Sequence, residues 1–400
     1  MNDVVVTGIG AVTPLGIGAA PLYERWAAGI CGIEDGEGRA REFVATEHLS
    51  VKDARRADRF TQFALVASIE ALADAGWGEG LPYDAWKIGS IIGTGIGGIG
   101  TIEANDRAMF DGGPKHVSPL AVPLMMGNAA AAAVSMRHGL RGPAFGTVSA
   151  CSSGADAIGT AIRAIRHGDA LAVVTGGAEA ALTPLSRAAF GALDALSTSG
   201  VSRPFDARRD GFVMGEGAGV LVLEDGEAAR ARGARILAVA RGYGATADAH
   251  HVTAPHPTGE GAAAAITRAL EDAGVAPEEI VYVNAHGTST QLNDRAETIA
   301  LKSALGEHAY AIPVSSTKSA IGHLLGAGGA VEAIATILAL RARLIPPTLG
   351  WAEREEGLDL DYVPDSARPL DLGDGQRPIA ISNSFGFGGH NTVLCLEATT

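Results

Sequence analysis

The chain has few cysteines. Cys31, Cys151 and Cys395 are the whole complement of its 400 residues, too few and too scattered for a disulfide framework. No apolar run reads as long enough to span a membrane, and the opening Met1-Asn2-Asp3-Val4 lacks a basic n-region. These absences predict a cytoplasmic protein. Positive charge is also in deficit: Lys and Arg number 31 against 45 Asp and Glu, for a net charge of −14, which argues against a nucleic-acid binder. No Pro/Ser-rich linker, charge block or low-complexity tract divides the chain, and no metal-ligand spacing stands out among its 11 histidines. Length alone allows two or three domains.

Glycine is plentiful. The 54 glycines are about twice the usual share of roughly 7%, which without a G-X-Y period predicts tight turns and close backbone contacts. Apolar β-rich runs predict strands at Val4 to Thr7, Ile88 to Ile92, Ala172 to Thr175, Val220 to Leu223, Ile236 to Ala240 and Val281 to Asn284. Helices such as Thr61 to Ala75 and Gly261 to Ala273 fall between them. The alternation predicts an α/β fold with both sheet faces covered. Gly219 to Glu224 matches Thr392 to Glu397 in character, which hints at a duplicated unit.

Cys151 is the most informative residue. It stands in Val148-Ser149-Ala150-Cys151-Ser152-Ser153-Gly154, between the strand-like Pro143 to Val148 and a small-residue helix with Gly168 as its stop signal. A thiol at a helix N-terminus faces unpaired N–H groups and the positive end of the dipole, which predicts a thiolate nucleophile. A lone free cysteine is more often a buried hydrophobe. Three further segments shift that balance. His286 ends the strand Val281 to Asn284, and His323 follows Val314-Ser315-Ser316-Thr317-Lys318-Ser319. Ser382-Asn383-Ser384-Phe385-Gly386-Phe387-Gly388-Gly389-His390-Asn391 is a glycine-dense turn after Pro378 to Ile381. Each puts chemistry or glycine at a strand end, where open α/β sheets bind ligands.

In this order, the motifs resemble those of β-ketoacyl-acyl-carrier-protein synthases of the elongating class, nearest to synthase II and to the ketosynthase subunits of type II polyketide systems. The resemblance runs from Val4-Val5-Val6-Thr7-Gly8-Ile9-Gly10 to Gly386-Phe387-Gly388-Gly389. It implies the thiolase fold, an α/β architecture of two duplicated βαβαβαββ halves in a five-layer αβαβα arrangement. Residues 1–232 would carry the nucleophile and a dimer interface. Residues 233–400 would carry both histidines and the gating turn. The implied activity is an acyltransferase reaction, decarboxylative Claisen condensation of an acyl group on Cys151 with malonyl-acyl-carrier-protein, in fatty-acid or type II polyketide elongation.

The same resemblance assigns roles. His286 and His323 hold the enolate oxygen, Lys318 and Glu332 form an orienting ion pair, and Phe385 supplies an oxyanion N–H and gates the pocket, with Gly386, Gly388 and Gly389 freeing the turn. Thr288 and Thr290 hold the pantetheine amides, Thr253 lines the same tunnel, and Asp248 sits on a mobile loop. Met126 falls at the acyl-pocket floor beside Gly127, with plain core at the dimer interface as its alternative. His250 and His251 read as loop residues.

Lys52, Arg55, Arg56 and Arg59 fall at i, i+3, i+4 and i+7 of a helix capped by Ser50, one basic stripe. Ordinarily that is a solvated face; the resemblance makes it the dock for an acidic acyl carrier protein, with Lys115, Arg203, Arg208 and Arg209 as further candidates. No dissociable cofactor is implied, because phosphopantetheine arrives on the carrier protein, and no metal, nucleic acid or membrane. The implied partners are the acyl carrier protein and a second subunit, in a homodimer or a heterodimer with a chain-length-factor-like chain. Cys151 weighs against a non-catalytic chain-length subunit, and the second histidine against a thiolase. Two departures stand out: His390 where synthase II commonly has Thr, and a shortened Leu196 to Arg203 segment.

Overall fold

The computed structural model describes residues 3–373 and 375–399. The first half supplies β1 (Val4–Thr13), β2 (Ile88–Gly93), β3 (Ala144–Thr147), β4 (Ala172–Glu179) and β5 (Gly217–Asp225). The second supplies β6 (Ala238–Ala247), β7 (Ile280–Asn284), β8 (Val314–Ser315), β9 (Ile379–Gly386) and β10 (His390–Ala398). Their order is β3-β2-β4-β5-β1-β6-β10-β9-β7-β8. The seam is thin: β1 meets β6 only at Val5 with Val239 and Val6 with Ala238. Outward from it, both halves repeat one sequence, first strand, fifth, fourth, second, third, with matching parallel and antiparallel pairings. The duplication hinted at by two terminal strands is therefore topological.

The helices complete five layers. On one outer face of the first half lie α1 (Arg59–Asp74) and α2 (Ala129–His138). On the outer face of the second half lies α4 (Glu260–Ala273), with α5 (Gln291–Leu305) packed beside it. Between the sheets run α3 (Ser153–His167) and α6 (Gly328–Ala342), each touching strands of both halves. Paired glycines bring α1 and α4 onto their sheets. A Cβ on Gly10 of β1 would lie 2.1 Å from the Ala67 carbonyl of α1, and one on Gly244 of β6 would lie 2.1 Å from the Ala265 carbonyl of α4. The two halves use the same close approach at the same place.

The central position of α6 corrects one expectation. Leu325–Ala342 is long and apolar enough by length and composition to cross a membrane, with mean hydropathy 1.4, yet it is 83% buried inside the protein. A helix between two sheets has no solvent face, so it is apolar all round.

The basic stripe is also broken. Ser50 caps as expected, accepting from Asp53 N at 3.1 Å, but that helix is only Val51–Arg55. Asp58 then caps α1, and Arg59 turns inward. Its guanidinium grips Glu216, which is 1% exposed, at 2.7 and 2.9 Å, and stacks 4.7 Å from the Phe63 ring. Only Lys52, Arg55 and Arg56 remain exposed.

Candidate active site

Cys151 lies in a single helical turn, Ala150–Ser152, that opens α3. The residue before it, Ala150, has φ +51°, a left-handed conformation that costs a non-glycine residue about 1 kcal/mol and persists only under outside restraint. Ser153 supplies restraint: its hydroxyl donates to Ala150 O at 2.7 Å and accepts from Ser149 N at 2.9 Å. The glycine-rich turn presses on the same spot. A Cβ on Gly386 would meet Cys151 N and Ser149 O at 3.0 Å, so a larger residue there would press on the nucleophile's turn.

His286 follows the end of β7. Glu297 on α5 braces its turn, accepting from the backbone N–H of His286 at 2.8 Å and of Gly287 at 2.7 Å. Burial pushes that carboxyl up to about 7 against these donors and Asn383. Lys318, 1% exposed, pairs with Glu332 and places Nζ 3.2 Å from Nδ1 of His286. His323 accepts at Nδ1 from Leu325 N at 3.2 Å. Each Nδ1 therefore faces a donor, which leaves the ring proton on Nε2. Burial, and then the Lys318 charge, hold both imidazoles well below their usual range and therefore neutral. The rings stand edge to face, 5.3 Å apart.

Cys151, His286 and His323 share one cavity of about 280 Å³. Asp248, Thr253, Thr288, Thr290, Phe385 and Gly386 line it, and the Thr288 and Thr290 hydroxyls lie 2.9 Å apart. Among the described residues no cluster could hold a metal ion.

Both family halves match this chain: residues 40–229 match "Beta-ketoacyl synthase, N-terminal domain" and residues 237–352 match "Beta-ketoacyl synthase, C-terminal domain". The chain belongs to the β-ketoacyl synthases. It is 46% identical to the 3-oxoacyl-acyl-carrier-protein synthase 2 of Synechocystis sp., covering 98% of this chain and 97% of that one. Among solved structures it resembles a type II PKS ketosynthase determined with its acyl-carrier protein and bound to the hexaketide (TM-score 0.90, 31% identity, all of both chains). It also resembles the ishigamide ketosynthase/chain length factor (TM-score 0.88, 33% identity, all of both chains). The expected family and thiolase fold are thus borne out.

Several residue expectations need correction for this synthase. The backbone N–H that favours the Cys151 thiolate is that of Phe387, while Phe385 was the expected oxyanion donor. Phe385 lies within β9 and sets its ring 5.8 Å from His286, while Phe387, in the turn itself, faces Phe190 at 6.4 Å. The turn carries two phenylalanines, and only the point where β9 ends tells them apart. The thiol is not lowered: burial pushes it up to about 11, outweighing the Phe387 N–H and Lys318. Gly388 lies off the cavity, donating its N–H to Val252 O at 2.8 Å. Met126 is 45% exposed and lies outside the cavity, among other exposed apolar side chains. Of the docking candidates, Lys115 is exposed and Arg203 half-buried, with its backbone N–H on Ser289 Oγ at 3.0 Å. Arg208 is clamped to Asp206. Arg209 is 1% exposed, enclosed by Asp294, Glu355 and the Thr290 and Gln291 carbonyls, and cannot meet a partner. Sequence reasoning missed Glu297, whose carboxylate accepts from the His286 turn, and Leu325, whose backbone N–H fixes His323.

Proposed function

We propose that the chain condenses an acyl group held on Cys151 with malonyl-acyl-carrier-protein. The observation that carries this reading is a buried cysteine sharing one cavity with two neutral imidazoles, each a donor at Nε2. In the first half-reaction the Cys151 sulfur attacks the acyl thioester on the carrier's pantetheine. The carbonyl–pantetheine C–S bond breaks, and the thiol proton leaves on the released pantetheine. The N–H groups of Phe387 and Cys151 receive the oxyanion. In the second, the malonyl C–carboxylate bond breaks and carbon dioxide departs. The resulting enolate oxygen is held by Nε2–H of His286 and His323. The enolate carbon attacks the acyl carbonyl and Cys151 leaves as thiolate. Neutral donors suit this step, because a protonated imidazole would hand its proton to the enolate and quench it.

The synthase brings no cofactor of its own; phosphopantetheine comes on the carrier protein. Thr288, Thr290 and Thr253 flank its path, and Lys52, Arg55, Arg56 and Lys115 are the exposed cations left to receive an acidic carrier. Residues 1–232 and 233–400 form the two halves, and the reaction runs in the cytoplasm. A second subunit covers the exposed edge strand β3 and its apolar surround, either another copy or a chain-length-factor-like chain. Intact mass after mixing with an acyl carrier protein, beside Cys151→Ala, tests the first step. An acyl-sized gain in the wild type alone is expected; no gain in folded wild type, alone or with a chain-length-factor-like subunit, sinks the reading.

A further inference from the structure

Asp156 lies on the first turn of α3, one turn beyond the nucleophile, and the chemistry above makes no use of it. Its carboxylate collects three hydroxyl donors. Oδ2 accepts from Ser149 Oγ, inside the turn that presents Cys151. Oδ1 accepts from Tyr243 OH and from Thr392 Oγ1, both at 2.7 Å. Tyr243 belongs to β6 and Thr392 to β10, neighbouring strands of the second half. One side chain of the first half thus ties the nucleophile's turn to two strands of the other half.

The tie is stiff at both ends. The Tyr243 ring is pressed so closely on α3 that a Cβ on Gly159 would lie 2.2 Å from it, and the Arg163 guanidinium covers the ring at 4.7 Å. Thr392 directly follows Asn391, whose amide donates to Asp248 at 2.7 Å, and both of those residues line the cavity. An ionised carboxylate only accepts, so all three hydroxyls must point their protons at Asp156. Ser149 is fixed on every polar atom: its hydroxyl on Asp156, its N–H on Ser153 Oγ, and its carbonyl on Ser152 N at 3.1 Å. That grip immediately precedes the left-handed Ala150, a conformation that needs such outside restraint.

We propose that Asp156 is a positioning residue for the nucleophile: acting through Ser149, it fixes the Ser149–Cys151 turn against the strand that leads out of the glycine-rich turn. It touches neither substrate nor sulfur. Attack on a thioester carbonyl depends on near-attack placement, where a displacement of about 1 Å costs on the order of 10²-fold.

The inference rests on the reading of Cys151 as acyl acceptor, and the test separates the two. Single-turnover acylation by an acyl carrier protein is followed by intact mass for wild type, Ser149→Ala, Asp156→Asn, the double variant and Tyr243→Phe, with iodoacetamide alkylation of Cys151 and thermal melting alongside. Wild type that fails to acylate overturns the acyl-acceptor reading, and the alkylation rates then still report the turn. We expect Ser149→Ala and Asp156→Asn each to lose roughly 10-fold in acylation rate and the double variant no more than either alone, because both cut one link. Tyr243→Phe, which leaves the Ser149 link whole, loses less. A packing role alone lowers the melting temperature without slowing acylation of the folded protein. Rates within about twofold of wild type in folded Ser149→Ala, or losses that multiply in the double variant, overturn the proposal. If Asp156→Asn does not fold, Ser149→Ala decides by itself.

Discussion

Lys318 places its ammonium 3.2 Å from Nδ1 of His286 while holding Glu332 on its other side. The contact does two things at once: it forces the proton onto Nε2, and it adds to the burial that keeps the ring neutral. We expect Lys318→Met to leave the His286 tautomer undefined and to slow carbon dioxide release from malonyl-acyl-carrier-protein by on the order of 10²-fold. Acylation of Cys151 should fall much less, since that step does not use the imidazole donors. Measuring the two half-reactions separately checks this, and equal losses in both would contradict it.

The pH dependence of the same rings follows from their burial. Both imidazoles are depressed well below 6.5, so decarboxylation should hold steady as pH falls toward about 6.5 rather than losing a donor-controlled limb there. Stability behaves differently. The unfolded histidines protonate below their ordinary range while the buried ones resist, so the unfolded state binds more protons and stability declines as pH falls through about 6.5. His323→Asn, which keeps a neutral donor without a titrating ring, should flatten part of that decline in thermal melts taken between about pH 5 and 8.

Cys151 offers a contrast between two physical terms. Its position at a helix start favours the thiolate, and burial opposes it and wins, pushing the thiol up to about 11. Iodoacetamide alkylation of Cys151 should therefore rise by about tenfold per pH unit between pH 7 and 9, without a plateau. A plateau by pH 8 would mean that the helix terminus and Lys318 outweigh burial.

These contrasts mark what the sequence could convey. Strand-end chemistry was legible because β7, the loop before α6 and the turn after β9 carry polar residues at fixed offsets from apolar runs, so Cys151, His286 and His323 could be named and are found together. Choosing between Phe385 and Phe387 was not possible, because that depends on where β9 stops. The inward turn of Arg59 was equally hidden: a 3.6-residue period places it with Lys52, Arg55 and Arg56, and only the break at Asp58 removes it. Glu216, its partner, lies far away in sequence. Leu325–Ala342 deceives for a related reason, since a helix enclosed by two sheets carries the composition of a membrane span.

The broken stripe separates docking from stability. Replacing Lys52, Arg55 and Arg56 together with Gln should raise KM for the carrier protein severalfold, most clearly at low salt, with kcat and melting temperature little changed. Arg59→Gln should do the reverse. It leaves Glu216, 1% exposed, without its charge partner, a loss on the order of 2 kcal/mol seen as a lower melting temperature at unchanged KM. Steady-state kinetics across ionic strength, beside thermal melts of both variants, distinguish the two.

The exposed apolar face yields the last expectation. Phe110 is 80%, Met136 78% and Val148 66% exposed, and β3 ends the sheet with one edge open. An open edge strand with an apolar surround is a template for association. Closed two-fold pairing would use the same patch on both copies, so one substitution acts twice. Phe110→Asp with Met136→Asp should convert a dimer to monomer in light scattering while secondary structure by circular dichroism stays intact. If the wild-type chain is monomeric by itself, adding a chain-length-factor-like subunit should produce a heterodimer that the double variant cannot form. A monomer under both conditions would remove this face from the assembly.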